Sequence, residues 1–394
     1  MTEKLYDKDS HLKEFEGTVL SCEKIGEKYA IVLNQTAFFP EGGGQQSDRG
    51  YAGDAYIADV QIKNGVILHF ADKPLNIGQA YKCKIDFDFR FRNMQNHSGE
   101  HIISGIVHKL YGFNNVGFHL GTEMTVDFDG ELTRRQLDEV EDLANKAVYE
   151  NLPVKAYYPT DEELKSLDYR SKLDLKENVR IVEIKGVDVC ACCAPHVKAT
   201  GEIGIIKILD FEKYKGGVRL LVKCGRDALS DYREKYRNIL EISNLLSAKQ
   251  PDASAAVVKL NNQLSAEKEE TAALKKRLIA EMAAGFAPKT DKTAVFEDGL
   301  DIKELQLLAD ALCSNAGGIR GAFSGKDGAF SFAICGEETA LNTFFIEFKA
   351  ALTVRGGGRN GIRQGTVSDT REKIESFFDE RRSAVLERAA AVQL

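Results

Sequence analysis

Read for period, the first ninety residues are strands. EGTVLSCE and KYAIVLNQT gather β-branched residues around a turn at Gly26, and YIADVQIK and VILHF flank Asn64-Gly65. An Asn-Gly pair between two such runs is the strongest short hairpin signal in a sequence. Strands at this spacing predict a small β-barrel or sandwich over residues 1–90. From Arg92 the rhythm changes: Met94, Ile102, Ile103, Ile106, Val107 and Leu110 fall on one helical face. Leu132, Leu137, Val140, Leu143 and Val148 predict a second helix over 132–150. VRIVEI, a cysteine-bearing loop, GIIKILD and GVRLLVKC return to strand, so 91–225 reads as α+β.

Residues 226–285 carry another pattern. Leu229, Tyr232, Tyr236 and Ile239, then Val257, Leu260, Leu264, Thr271, Leu274 and Leu278, follow heptad spacing, with Glu267 the charged interruption. Pro251 separates the two runs, because proline and its predecessor resist helix continuation. An antiparallel helical hairpin or coiled coil is expected, and a dimer interface fits the same spacing. Over 286–394 the strand GAFSFAIC, the helix NTFFIEFKAAL, a glycine-rich stretch and a C-terminal helix predict an α/β domain. The fold expected is α+β and multidomain, in four parts.

Composition narrows this picture. A chain of 394 residues exceeds one ordinary core. A net charge of −7 excludes nucleic-acid binding through bulk positive charge but leaves room for local cations. The start, MTEKLYDKDS, shows no secretory signal, and no run of eighteen apolar residues suggests a membrane span. Eight cysteines then read as thiols, and the expected compartment is the cytoplasm.

Three stretches could carry chemistry. His97 and His101 stand four apart on a predicted helix, which sets both rings on one face. Cys192-Cys193-Ala194-Pro195-His196 repeats that spacing with a thiol and an imidazole, and Pro195 argues for a loop. Together His97, His101, Cys192 and His196 supply four ligands of the types zinc prefers, with Cys190 and Cys193 near enough to replace Cys192. Of the remaining histidines, His69 is expected on a hairpin surface and His108 in a structural role; His119 lies in a turn and could line a pocket. The run Gly42-Gly43-Gly44 permits unusual dihedrals and close approach of a ligand; the plainer reading is a wide hairpin turn. It matches neither a phosphate loop nor a dinucleotide fingerprint. Arg355, Arg359 and Arg363 recur in a window from Phe348 to Ser368 that has no acidic residue, a pattern suited to phosphate contact. The alternative is a solvated loop whose arginines pair with Asp369 and Glu372.

Four segments resemble the freestanding alanyl-tRNA editing proteins, which look like the editing half of alanyl-tRNA synthetase. They are Thr36 to Gln45 with Asp48-Arg49-Gly50, Met94 to Ser104 with its histidine pair, Cys192 to His196 followed by Thr200-Gly201-Glu202-Ile203-Gly204, and Arg355-Gly-Gly-Gly-Arg359. One departure stands out: Cys193, Ala194 and Pro195 replace the family's Gly-Gly-Thr, which changes backbone freedom and removes a hydroxyl. The resemblance implies a zinc-bearing editing domain behind the barrel and a C-terminal domain of DHHA1 type that binds tRNA or dimerises. It implies hydrolysis in trans of tRNA(Ala) charged with serine first and glycine second. An alanine pocket rejects such competitors by only about 10²-fold, which a second site repairs. Thr36 matches the hydroxyl position that would read serine, and Gln45 with the amides of Gly42, Gly43 and Gly44 would donate to the reacting end. The implied partners are mischarged tRNA(Ala) and a second copy of the chain, with no membrane. A non-catalytic zinc-stabilised tRNA-binding protein is the other reading; a phosphodiesterase ranks below it, because the chain has no Asp-His-His motif.

Overall fold

A computed structural model describes residues 2–171, 178–287 and 290–379. The chain forms two compact units, Met1–Ile242 and Ser243–Leu394. In the first, Glu14–Ile25, Lys28–Leu33, Val66–Ala71, Ala55–Lys63, Gly50–Ala52 and Ala80–Ile85 follow one another around a closed barrel. Asn64 and Gly65 both take positive φ (49° and 75°) and pair Lys63 with Val66, as a two-residue primed turn requires. Ile31, Leu33, Phe38, Phe39, Ile57 and Val60 fill the barrel.

Behind it runs the helix Phe87–Tyr111. The Asp86 side chain accepts from the Phe89 N–H at its start, and Gly112, in the left-handed region, closes it. Met94, Ile102, Ile103, Ile106 and Val107 are buried as the periodicity predicts, whereas Leu110 is exposed. The helix packs among a four-stranded sheet (Ile206–Tyr214, Gly217–Cys224, Met124–Phe128, Asn115–Leu120), the helix Arg134–Tyr149 and a three-stranded sheet (Val154–Tyr157, Ile181–Ile184, Asp188–Ala191). Cys190 therefore sits on a strand, where the sequence suggests a loop. Leu143, counted on the apolar face of 132–150, is over a third exposed.

A buried ion pair ties helix to barrel. Arg90 and Asp48 are both sealed from solvent; Arg90 also donates to the carbonyls of Ala37 and Ser10, and Asp48 accepts from the Phe39 N–H at 2.6 Å. Breaking one partner of such a pair costs about 3–5 kcal/mol, because a buried charge is left behind. The segment that leads into the glycine run is thus fixed against the helix that carries His97 and His101.

In the second unit, the helix Ala253–Ala284 follows the break at Pro251. A five-stranded sheet runs Lys292–Phe296, Ile319–Lys326, Ala329–Cys335, Ile362–Val367, Val354–Gly357, its first pair parallel and the rest antiparallel. Helices Ile302–Ala316 and Glu338–Ala351 contribute to cores rich in leucine and phenylalanine. Part of the glycine-rich stretch, for which a solvated loop is the alternative reading, is strand at Val354–Gly357. A helix covers 371–379; the rest of the expected C-terminal helix lies outside the described residues.

Candidate metal centre and active site

His97 and His101 project from one helix face into a buried cluster with Cys192 and His196, whose ligand atoms all lie within 4.8 Å of one another. Each imidazole is held by its outer nitrogen. His97 Nδ1 meets Gln45 Oε1 at 3.0 Å, His101 Nδ1 meets Asp188 Oδ2 at 2.9 Å, and His196 Nδ1 meets Ser98 Oγ at 3.0 Å. An outer acceptor fixes the tautomer and turns Nε2 inward, the usual arrangement around a metal. Nε2 of His97 and of His196 lie 3.6 and 3.4 Å from Cys192 Sγ. With metal–nitrogen bonds of about 2.0 Å and a metal–sulfur bond of about 2.3 Å, a tetrahedral ion sets that edge at roughly 3.5 Å. The donor set and its spacing fit a metal.

The electrostatics agree. Burial works against ionisation of Cys192, but the charge of His97 and hydrogen bonds from His101 and His196 outweigh that and hold the thiol well below its usual range. Burial pushes His196 down to about 3, which keeps it neutral and able to ligate. Arg180 shapes the ligand loop: its guanidinium donates to the carbonyls of Cys192 and Ala194 at 3.0 and 2.9 Å. Arg170 grips Asp188 with two hydrogen bonds of 2.7 and 3.0 Å, so the support of His101 extends to a third residue. Gly105 lets this approach happen, since a Cβ there would lie 2.4 Å from the Val187 carbonyl and 2.7 Å from Asp188.

Over the cluster lies a tight turn, not a wide one: Gly42 and Gln45 exchange backbone hydrogen bonds of 3.1 and 3.0 Å. Gly43 and Gly44 occupy positive φ of 61° and 80°. A Cβ on Gly44 would strike the Phe118 ring at 2.6 Å, and that ring lies 4.7 Å from His97. Gly43, Gly44, Glu100 and Phe118 join His97, His101 and Cys192 around a cavity of about 500 Å³.

The structure brings some of the expected residues together and not others. Gly43 and Gly44 line the cavity, and Gln45 stands behind His97. Thr36 is sealed in the barrel and absent from the cavity lining; its hydroxyl meets His69 Nε2 at 2.8 Å and accepts from the Phe38 N–H. His69 is not on a hairpin surface but fully buried, because its inward-facing strand position seals the ring against Thr36 and the Ile31 carbonyl. His119 does not line the cavity. Cys190 is buried with its thiol pushed up to about 11 by burial, and it groups with His101 and Asp188 rather than with the four ligands. Cys193 is exposed and lines the cavity. In the second unit Arg355 and Arg359 are exposed. Arg363 corrects the expectation of phosphate contact: it is buried and bound to Glu338 and Asn342. Sequence reasoning missed Glu100, Asp188, Arg170 and Arg180. Only Glu100 carried a signal, an acid directly before a ligand histidine.

Residues 179–222, which include Cys192 and His196, match the family described as the threonyl and alanyl tRNA synthetase second additional domain. Residues 9–89, which include the glycine turn, match the class II (A) tRNA synthetases. The alanyl-tRNA editing protein AlaX-L of Pyrococcus horikoshii is 34% identical over 64% of this chain and 65% of its own length, so the match spans less than two thirds of that relative. The alanine–tRNA ligase of Halorubrum lacusprofundi is 31% identical over 84% of this chain but only 38% of its own length. The alanyl-tRNA editing protein Aarsd1-A of Xenopus laevis is 28% identical over 93% of this chain and 94% of its own length. With the ligand pairs, the glycine turn and these matches in one order along the sequence, the chain is similar along its length to the freestanding alanyl-tRNA editing proteins.

Proposed function

We propose that this protein hydrolyses, in trans, the ester that joins a wrong amino acid to tRNA(Ala), with serine the first substrate and glycine the second. The observation that carries the reading is the cluster of three anchored imidazoles and one thiol, of which His97, His101 and Cys192 line a cavity of about 500 Å³ beside the glycine turn. The sulfur and three nitrogens suit zinc, which when bound supplies a Lewis acid able to polarise an ester carbonyl or a water. Four protein ligands match the closed pattern of a positioning site, so the groups around them acquire weight.

Gln45 holds His97 through its oxygen, while its Nε2 is a buried donor with no partner among the described residues. Such a donor is costly unless a ligand or water meets it, which supports a contact with the reacting end. The backbone of Gly43 and Gly44 brings unhindered amides to the same wall. Thr36 acts by position in this reading: it ends the strand Gln35–Thr36 and holds the Phe38 N–H of the extended segment that leads to the turn.

The rest of the expected organisation is kept as a proposal. Separate hydrophobic clusters support a barrel, an α+β editing region and a C-terminal domain. Exposed Arg355 and Arg359 suit tRNA phosphates, and the half-exposed Leu260, Leu264, Leu274 and Leu278 suit a second copy of the chain. No helix among the described residues is long and apolar enough to cross a membrane, and the cytoplasm, where tRNA is charged, is the proposed site of action.

The test is deacylation of seryl-, glycyl- and alanyl-tRNA(Ala), with metal content measured on the same sample. Release of serine with alanine spared is the expected result. Tight tRNA binding without release of any amino acid would replace this reading with a non-catalytic binding protein.

A further inference from the structure

The first of the two heptad-spaced runs forms the helix Gly225–Leu245, whose root is fixed beside the metal ligands. Asp227 accepts from Arg92 at 2.9 Å and from Asn96 at 3.1 Å, and the Arg226 N–H donates to Gln95 at 3.3 Å. The helix therefore starts against the residues just before His97. Arg92 also donates to the Gly121 carbonyl at 3.0 Å, directly after the strand Asn115–Leu120, whose Phe118 walls the cavity. Beyond this root Leu229, Tyr232, Arg233, Tyr236, Arg237 and Leu240 share one side of the helix, and all six are exposed. At about 3.6 residues per turn, Glu234 and Glu241 fall outside that side. Asp231 is held by Lys223 and Lys235 at 2.8 and 2.6 Å. Tyr232 and Tyr236 stack on each other, with ring centres 6.3 Å apart and planes 20° from parallel. Arg233 and Arg237 flank them, and neither makes an ion pair or hydrogen bond among the described residues.

Two partners compete for such a face. A second copy of the chain would cover Leu229 and Leu240, but it would also strip water from two guanidiniums that have no carboxylate to meet them, which is costly. An RNA backbone supplies the missing anions, and a pair of stacked tyrosines offers a platform for a base or ribose. We infer that this face binds the acceptor arm of tRNA, with Arg233 and Arg237 on phosphates and Tyr232 and Tyr236 against the sugar–base surface. The inference rests on the proposed action on tRNA. The helical rise sets Arg237 about 15 Å along the axis from Asp227, so the face meets nucleotides short of the esterified end and not the ester itself. Contacts of this kind read charge and shape. They add affinity for tRNA whatever amino acid it carries, and they leave the choice between serine and alanine to the cavity.

The experiment measures binding of uncharged tRNA(Ala) across a range of salt, and deacylation of seryl-tRNA(Ala), with the full chain. Wild type is compared with Arg233→Gln/Arg237→Gln, Tyr232→Ser/Tyr236→Ser and Lys235→Gln. The arginine variant should bind roughly tenfold more weakly at moderate salt, and its slope of log affinity against log salt should fall by about one to two. The tyrosine variant should also lose roughly tenfold but keep the slope, because stacking releases no counterion. In both, KM for seryl-tRNA should rise while kcat holds. Lys235→Gln removes a charge from the same helix, but one already paired with Asp231, so affinity and slope should stay as in wild type. An unchanged slope in the arginine variant overturns the inference, and so does a comparable fall in Lys235→Gln, which would mark bulk charge alone. Sedimentation reads the competing partner: a tyrosine variant that turns dimer into monomer with tRNA affinity intact assigns the face to a second copy. Should a double variant fail to fold, Arg237→Gln alone must lower the slope by about one. Wild type that binds tRNA and releases no serine would defeat the editing function, and the binding measurements would still decide this face.

Discussion

Two helices of this protein are buried against sheets by opposite means. Ile302–Ala316, in the second unit, starts on a full capping box at Asp301 and buries Leu305, Leu308, Ala309 and Leu312. Phe87–Tyr111, in the first, buries Asn93, Gln95, Asn96, His97, Ser98, Glu100, His101 and Ser104 alongside its apolar residues. The first helix satisfies period, cap and core at once, which is how a sequence specifies a stable element. The second gives up apolar burial along one face, and most of its polar groups have partners. Gln95 and Asn96 meet Glu202, Asp227 and Cys224, His97 and His101 meet Gln45 and Asp188, and Glu100 meets Ser104 and Asn115. The contrast separates packing from chemistry inside one chain, and substitutions should respect it.

The sharpest break is at the ligands. Cys192→Ala should remove stoichiometric metal and abolish deacylation, whereas Cys193→Ala and Cys190→Ala should keep the metal, because neither sulfur belongs to the four-atom cluster. Elemental analysis of the three proteins decides it; full metal in Cys192→Ala would move the ligand role to a neighbour. One step outward, Asp188→Asn leaves a hydrogen-bond partner for His101 but removes the charge that fixes it. Losses of metal affinity on loss of such a partner run about 10–100-fold. Competition with a chelator would measure it, and an unchanged affinity would show that Asp188 serves only Arg170.

A third effect is smaller and depends on pH. Burial holds His69 down at about 4, against an ordinary value near 6.5. As pH falls through 6.5 the unfolded chain takes up a proton that the folded barrel refuses, so stability falls between about 6.5 and 4 and then levels off. At pH 5 the cost is about 2 kcal/mol, roughly a thirtyfold change in the folding equilibrium. His69→Gln retains a partner for Thr36 and lacks the titration, so its melting temperature should depend less on pH across that window than that of wild type. Parallel pH profiles would mean that the ring is hydrated and not sealed. Thr36→Val, which removes the other half of the pair, should lower seryl-tRNA deacylation by loosening the segment that leads to the glycine turn; unchanged hydrolysis would separate that segment from the site.

The same contrast explains what could be read in advance. The ligand pairs were legible because metal chelation imposes a spacing on sequence: four residues apart on a helix, and again in the loop. The Asn64-Gly65 turn and the helix Ala253–Ala284 were legible because local geometry imposes a residue type or a period. Asp188, Arg170 and Arg180 were not, since they reach the site only after strands far apart in sequence pair, and an isolated charge carries no period. His69 was misplaced for a related reason. Alternation says which residues share a face of a strand, but closure of the barrel decides which face is inside. Arg363 shared its spacing with Arg355 and Arg359, yet the strand Ile362–Val367 turns it into the unit.

That last difference supplies the mildest prediction and the most discriminating one within the second unit. Three arginines at equal intervals look equivalent in the sequence, and the fold makes them unequal. Arg359 is exposed, so it is free to release a counterion when it meets a phosphate; Arg363 has its guanidinium on Glu338 and Asn342. Each phosphate contact adds close to one to the slope of log affinity against log salt. Arg359→Gln should therefore weaken tRNA binding a few-fold at moderate salt, lower that slope by about one and leave the melting temperature unchanged. Arg363→Gln should do the reverse, lowering the melting temperature with no change in the slope, because it empties a buried guanidinium site that holds Glu338 and Asn342 rather than a phosphate. Equal slopes for both variants would show that the exposed arginine does not touch tRNA. A lower slope for Arg363→Gln alone would mean that its ion pair opens on binding, and the two arginines would exchange roles.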